Sequence, residues 1–157
     1  MDSTELLGCD FSSSPNARKN IVLAWGQVAR GAVVLQRLER LPSLAAFADV
    51  LAQPRAWVGA FDLPFGLPRE LLQSLGCPLE WAACIRHFAR LERAQIRSLF
   101  AAFCDARPVG GKFAHRACDA LAGSSPSMKW VNPPVAYMLH AGLSVLLVAG
   151  GATYAWL

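Results

Sequence analysis

Four apolar runs, three of them in immediate succession, fill the first 62 residues and restrict what this chain can fold into. "LLGCDF" at 6–11, "NIVLAWGQV" at 20–28 and "AVVLQRLERL" at 32–41 are each of strand length and rich in branched or aromatic residues. The polar stretch "SSSPNARK" and the Arg30-Gly31 pair separate them as turns, so the three runs predict an antiparallel meander. Ser43 then stands where a helix N-cap is needed, and Leu44, Phe47, Ala48 and Leu51 recur at helical spacing until Pro54. "AWVGAFD" follows as a fourth strand, closed by "LPFGLP". A helix between two buried strands implies a right-handed crossover, which lays the fourth strand parallel to one already in the sheet.

The remainder reads as mainly helical. Pro68 suits a first helical position and Gly76 a C-terminal cap around "RELLQSL". From Leu79 a long helix is expected, with Trp81, Cys84, Ile85, Phe88, Leu91, Leu99, Ala102 and Phe103 on one side. Arg86, Arg90, Arg93 and Arg97, spaced four, three and four, form a stripe on the other side. A solvated face explains such a stripe, and phosphate contact is its functional alternative. Glu92 falls on the apolar side of that wheel and needs a partner.

A chain of 157 residues suffices for one sizeable core, so a single domain over 1–157 is expected: sheet core at 1–66, mainly helical at 67–149, irregular tail at 150–157. Fifteen basic against eleven acidic side chains give a net charge of +4, which permits a nucleic-acid partner without demonstrating one. The five cysteines contain no C-x-x-C pair, so neither a disulfide framework nor a zinc site is indicated. "MDSTELLGCD" has no signal-peptide core, which points to the cytoplasm. Residues 130–157 lack Asp, Glu, Lys and Arg, and "VAYMLHAGLSVLLVAGGATYAWL" has about the length of a membrane span. Asn132-Pro133-Pro134, His140, Gly150-Gly151 and the lack of a basic cluster beyond Lys129 oppose that reading, so a tail anchor is a minor alternative and no membrane partner is expected.

The chemistry-bearing candidates follow from the strand order. If the fourth strand docks parallel beside the first, Asp10 and Asp62 emerge from neighbouring strands on one side of the sheet. Two anions held together repel, and a hard divalent cation, Mg2+ or Mn2+, stabilises both as ligands. Such an ion polarises a phosphoryl oxygen and acidifies bound water, as phosphodiester hydrolysis requires. Ser12, Ser13 and Ser14, with the turn amides, are candidates to hold a phosphate oxygen. Turn capping is the plainer role for Asp10, Asp62 and the serines alike. In "KFAHRACD", helical spacing would turn Lys112, His115, Arg116 and Asp119 towards one substrate, with a surface ion-pair cluster as the alternative. Asn132 before two prolines reads as a helix start.

At "GCDFSSSPNARKNIVLAWG", "WVGAFDLPFGLPRELL", "GCPLEW" and "SMKWVNPPVAYML" the chain resembles a bacterial family of unknown function, number four-two-nine among the catalogued domains, described as predicted nucleases of the RNase H-like fold. The resemblance runs through most of residues 6–140. It implies that Asp10 is the acidic residue of the first strand and Asp62 that of the fourth. Members of that family continue beyond the "NPP" segment into further sheet and helix that supply another acidic ligand. This chain's "LSVLLVAGGATYAWL" contains no carboxylate, so a truncated RNase H-like domain is expected, with Asp119 as the substitute third acid. "GCDFSSS" also resembles the first phosphate-binding turn of sugar kinases and actin-like ATPases, which need a second half that a chain of this length lacks. The non-enzymatic alternative is an RNase H-like scaffold or fragment that binds without cleaving, its unfinished sheet leaving apolar surface open to a partner.

Overall fold

A computed structural model describes residues 4–149 as two compact units, the first built on residues 4–62 and the second spanning Leu63–Leu147. The first unit is α/β. Strands β1 (Glu5–Asp10), β2 (Ile21–Ala29) and β3 (Ala32–Leu41) form an antiparallel meander, helix α1 (Leu44–Leu51) crosses over, and β4 (Trp57–Phe61) returns to the sheet. The sheet order is β3-β2-β1-β4, with β4 parallel to β1 and every other pairing antiparallel. The expected meander, crossover and parallel fourth strand are all present.

Alternation along the strands selects the buried face. Leu7 and Cys9 of β1 and Ile21, Leu23 and Trp25 of β2 are buried, whereas their neighbours in sequence are less so. Helix α1 contributes Phe47, Val50 and Leu51 to the core. The Phe47 ring lies 5.6 Å from Phe11 and 6.4 Å from Phe61, so the crossover helix is packed against residues at the ends of β1 and β4. Burying a side chain of this size contributes about 1.5–3 kcal/mol. The helix starts where Ser43 accepts a hydrogen bond from the Ala46 amide at 3.1 Å.

Trp25 is fully buried partly by charged neighbours. Its Nε1–H donates to Glu39 at 3.0 Å, and the Arg37 and Arg55 guanidinium groups lie 4.6 and 5.1 Å from the ring centre. Glu5 accepts from Arg37 at 3.3 Å and pairs with Arg55 at 3.6 Å, so both cations are held over the indole.

The second unit is helical: α2 (Arg69–Ser74), α3 (Trp81–Ala89), α4 (Arg93–Asp105), α5 (Ala117–Ala122) and α6 (Val135–Val148). Pro68 is the N-cap of α2 rather than its first helical residue. The single long helix expected from Leu79 is two helices. Arg90 ends α3, and Glu92 adopts an extended conformation (φ −80°, ψ 157°) to open α4. Its amide donates to the Gln95 side chain at 2.7 Å in a capping box, so Glu92 is an exposed cap and not a charge seeking a partner in an apolar face. Consequently Arg86 and Arg90 belong to one helix and Arg93 and Arg97 to another, and the guanidinium of Arg93 lies 5.1 Å from the centre of the Tyr137 ring. The stripe on one continuous helix is therefore corrected.

Phe88 and Phe100 meet edge to face at 5.9 Å in the buried interior of this unit, with Ile85, Ile96, Leu139 and Leu143 also buried. Trp81 Nε1–H donates to the Phe65 carbonyl at 2.6 Å, Arg107 pairs with Glu70, and His140 Nε2–H donates to the Leu91 carbonyl at 2.9 Å. Helix α6 begins at Val135, three residues after Asn132. Among the described residues no helix is long and apolar enough to cross a membrane. The last part of the run considered as a tail anchor, 150–157, lies outside the described residues.

Candidate metal and phosphate site

The sheet register brings Asp10 and Asp62 together. Residues Glu5 to Cys9 pair one for one with Trp57 to Phe61, and the Asp62 amide donates to the Cys9 carbonyl at 2.9 Å. The ladder thus carries one step past β4, and the two aspartates stand side by side at the carboxyl ends of adjacent parallel strands, about 4.8 Å apart along the backbone hydrogen-bonding direction. Because Leu7 and Cys9 point into the core, Asp10 projects from the opposite face with Leu6 and Gly8. Asp62 follows the same alternation after Val58 and Ala60. Both aspartates are exposed. Their charges bear on one buried atom: burial first, then Asp10 and Asp62, push the Cys9 thiol up to about 12. Cys9 is therefore a protonated core residue beneath the acidic pair, not a nucleophile.

The turn after β1 is partly buried. Phe11 anchors it against Phe47, and Ser12 is only 4% exposed. The Ser12 hydroxyl is buried with no hydrogen-bond partner among the described residues, a state that costs roughly 1–3 kcal/mol if nothing else satisfies it. Ser13 is half-buried and engaged in an interaction of its own. Asn16 closes the loop, accepting from the Arg18 and Lys19 amides at 2.9 and 3.0 Å.

Arg40 was not among the sequence-derived candidates. Val22 pairs with Asp10 on one side and with Arg40 on the other, so all three lie in one row across the sheet. By strand spacing Arg40 stands about 10 Å from Asp10. The registers of β1 and of β3 against β2 together reveal it, and the second contains an irregularity between Trp25 and Gly26 that no local pattern announces.

The other candidates lie in the helical unit and have a different character. Residues 112–116 are not helical, so Lys112 and His115 do not share a helix face with Asp119, and that expectation is corrected. Lys112 is exposed with its Nζ 5.9 Å from the Phe113 ring centre, and His115 is exposed. Asp119 is wholly buried. Arg116 donates to Oδ1 through Nε at 2.9 Å and through its terminal amino group at 2.7 Å, its amide donates to Oδ2 at 2.8 Å, and the Ser124 hydroxyl donates to Oδ1 at 3.1 Å. Burial opposes the Asp119 charge, but the Arg116 and Ser124 hydrogen bonds outweigh it and hold the carboxyl below its ordinary value. Arg116 and Asp119 thus form the capping box that opens α5.

The acidic pair is the place where a hard cation fits. Mg2+ and Mn2+ keep several waters and need only one or two carboxylates from a protein, which suits two exposed aspartates beside an unsatisfied hydroxyl-bearing turn. Among the described residues no group of three or more His, Cys, Asp or Glu side chains is placed to share an ion. No family model, no curated protein and no solved structure matches the chain.

Proposed function

We propose that this protein is a metal-dependent phosphodiesterase module of RNase H-like type, acting on nucleic acid, with Asp10 and Asp62 as ligands of one Mg2+ or Mn2+. The observation that carries this reading is the side-by-side placement of the two aspartates at the ends of adjacent parallel strands. A divalent ion there supplies Lewis acidity and a bound water of lowered pKa. The chain's own residues do the rest. Asp10 and Asp62 orient the site towards the open face of the sheet, the buried hydroxyl of Ser12 and its turn offer a donor for a phosphate oxygen, and Arg40 attracts the phosphate backbone from the same row. The resemblance to the four-two-nine family supports the same assignment of Asp10 and Asp62, and "GCDFSSS" and "WVGAFDLPFGLP" carry it. Asp119 takes no part, since both its oxygens are engaged by Arg116 and Ser124.

A second reading, binding without cleavage, is favoured by the lack of a third acidic side chain within a shared metal site among the described residues. Calorimetric titration with Mn2+ and Mg2+, followed by assays on single- and double-stranded DNA and RNA, separates the two. Uptake weakened at least tenfold in both Asp10→Asn and Asp62→Asn, with cleavage lost in parallel, supports the hydrolase. Uptake without cleavage supports the binding module. No uptake by the unsubstituted chain overturns the hydrolase, and failure to retain any of the four nucleic acids overturns the binding module.

A further inference from the structure

Strand β3 is the edge of the sheet, bonded to β2 on one side and to no other strand among the described residues. It is ten residues long and exposed along nearly its whole length, with Val33 71%, Leu35 59% and Leu38 61% exposed. Long exposed edges with apolar side chains pair with other strands unless charge or bulges prevent it. Here the bulge lies at Gln36, which has no β2 partner because Trp25 pairs with Arg37 and Gly26 with Leu35. The regular stretch next to the bulge is therefore 37–41, and it reads Arg37-Leu38-Glu39-Arg40-Leu41.

That sequence is self-complementary in one antiparallel register. With Leu38 on a two-fold axis, Arg37 of each copy lies opposite Glu39 of the other, and the two Leu38 side chains meet on the face that carries Asp10. The registers centred on Arg37, Glu39 or Arg40 instead set like charges directly opposite each other, and those centred between residues 37 and 38 or 38 and 39 pair neither Arg37 with Glu39 nor Leu38 with itself. We propose that β3 pairs with β3 of a second copy in the Leu38-centred register, joining two four-stranded sheets into one of eight strands. The two copies of Val33, Leu35 and Leu38 then form one apolar surface on the outer face, and the exposed backbone edge of each protomer gains its missing hydrogen bonds.

The test is the oligomeric state of the full chain, measured by sedimentation and light scattering over a wide concentration range. A concentration-dependent dimer is expected. Leu38→Lys places two ammonium groups at the axis on an already exposed position, and it should weaken the dimer at least tenfold while leaving unchanged the circular dichroism spectrum and the melting curve at concentrations where the unsubstituted chain is monomeric. Glu39→Arg should do the same to association, and the double change Arg37→Glu with Glu39→Arg should restore it, because each arginine again faces a glutamate. Glu39 and Arg37 also serve Trp25, so a charge variant that misfolds leaves Leu38→Lys to decide. A folded monomer at every concentration, or a dimer indifferent to Leu38→Lys, overturns the proposal.

Discussion

At the scale of single residues, burial sorts the five cysteines by reactivity. Cys9, Cys77, Cys84 and Cys104 are buried and Cys118 is exposed on α5. Burial and the neighbouring aspartates push the Cys9 thiol up to about 12, burial, Cys77 and Glu80 push Cys84 up to about 11, and burial raises Cys77 and Cys104. Thiolate is the reacting form, so a folded chain treated with a maleimide at neutral pH should gain one adduct, at Cys118, and five after denaturation. Intact-mass spectrometry reads the count, and prompt labelling of Cys9 in the folded chain contradicts the buried placement of β1. The sequence already marked Asp10 and Asp62, because each closes an apolar run of strand length. It grouped Asp119 with Lys112, His115 and Arg116 at helical spacing, whereas the fold buries it as the partner of Arg116. The difference lies in Arg116 curling back to bond the Asp119 carboxylate, a contact that spacing alone does not distinguish. Arg40 escaped notice for a related reason: its place in the row with Asp10 depends on two strand registers.

At the scale of elements, the capping signals decide where the sequence was readable. Ser43 is a strong N-cap, and α1 starts where expected. The α3–α4 break was missed because its N-cap is Glu92, a residue outside the favoured Ser, Thr, Asp and Asn set, although Gln95 three residues later completes the capping box. A periodic apolar pattern that continues across such a cap looks like one helix. The cap of α1 has the greater consequence for the site, because α1 leads directly into β4 and holds Phe47 against Phe11 and Phe61. Replacing Ser43 by Ala removes the acceptor for the Ala46 amide and should cost about 1 kcal/mol, whereas Ser43→Gly should cost only a few tenths. Urea denaturation measures the difference. Equal stability of all three chains would mean that the cap hydrogen bond makes no net contribution.

At the scale of the whole molecule, three groups with depressed folded-state pKa values bear on the response to acid: His140, Asp119 and Glu80, whose carboxylate accepts from the Ala82 and Ala83 amides. Burial keeps His140 neutral, the Leu91 carbonyl bond opposes this in part, and Arg93 reinforces it, so the folded imidazole titrates below its ordinary value of 6.5. The unfolded chain therefore binds a proton first as pH falls, and stability declines from near that value downward. Asp119 adds a second decline. Its folded carboxyl titrates below the ordinary value of 3.8, so its contribution is complete above that pH and disappears as pH falls through the lower folded value. None of these groups costs stability between neutrality and pH 8, and the two carboxylates share one decline, so the acid side alone should show two steps. Melting temperatures taken from pH 8 to pH 3 should fall first below about pH 6.5 and again below about pH 4, each 1 kcal/mol lost appearing as about 2–4 °C in a chain of this size. His140→Gln should remove the first step while leaving the second. Asp119→Asn should lower stability at neutral pH by about 2–3 kcal/mol, because Arg116 loses its buried partner, and should shrink the second step to the part that Glu80 contributes. A profile that is flat down to pH 4 in the unsubstituted chain would show that His140 charges in the fold as readily as in the unfolded chain, contrary to its burial.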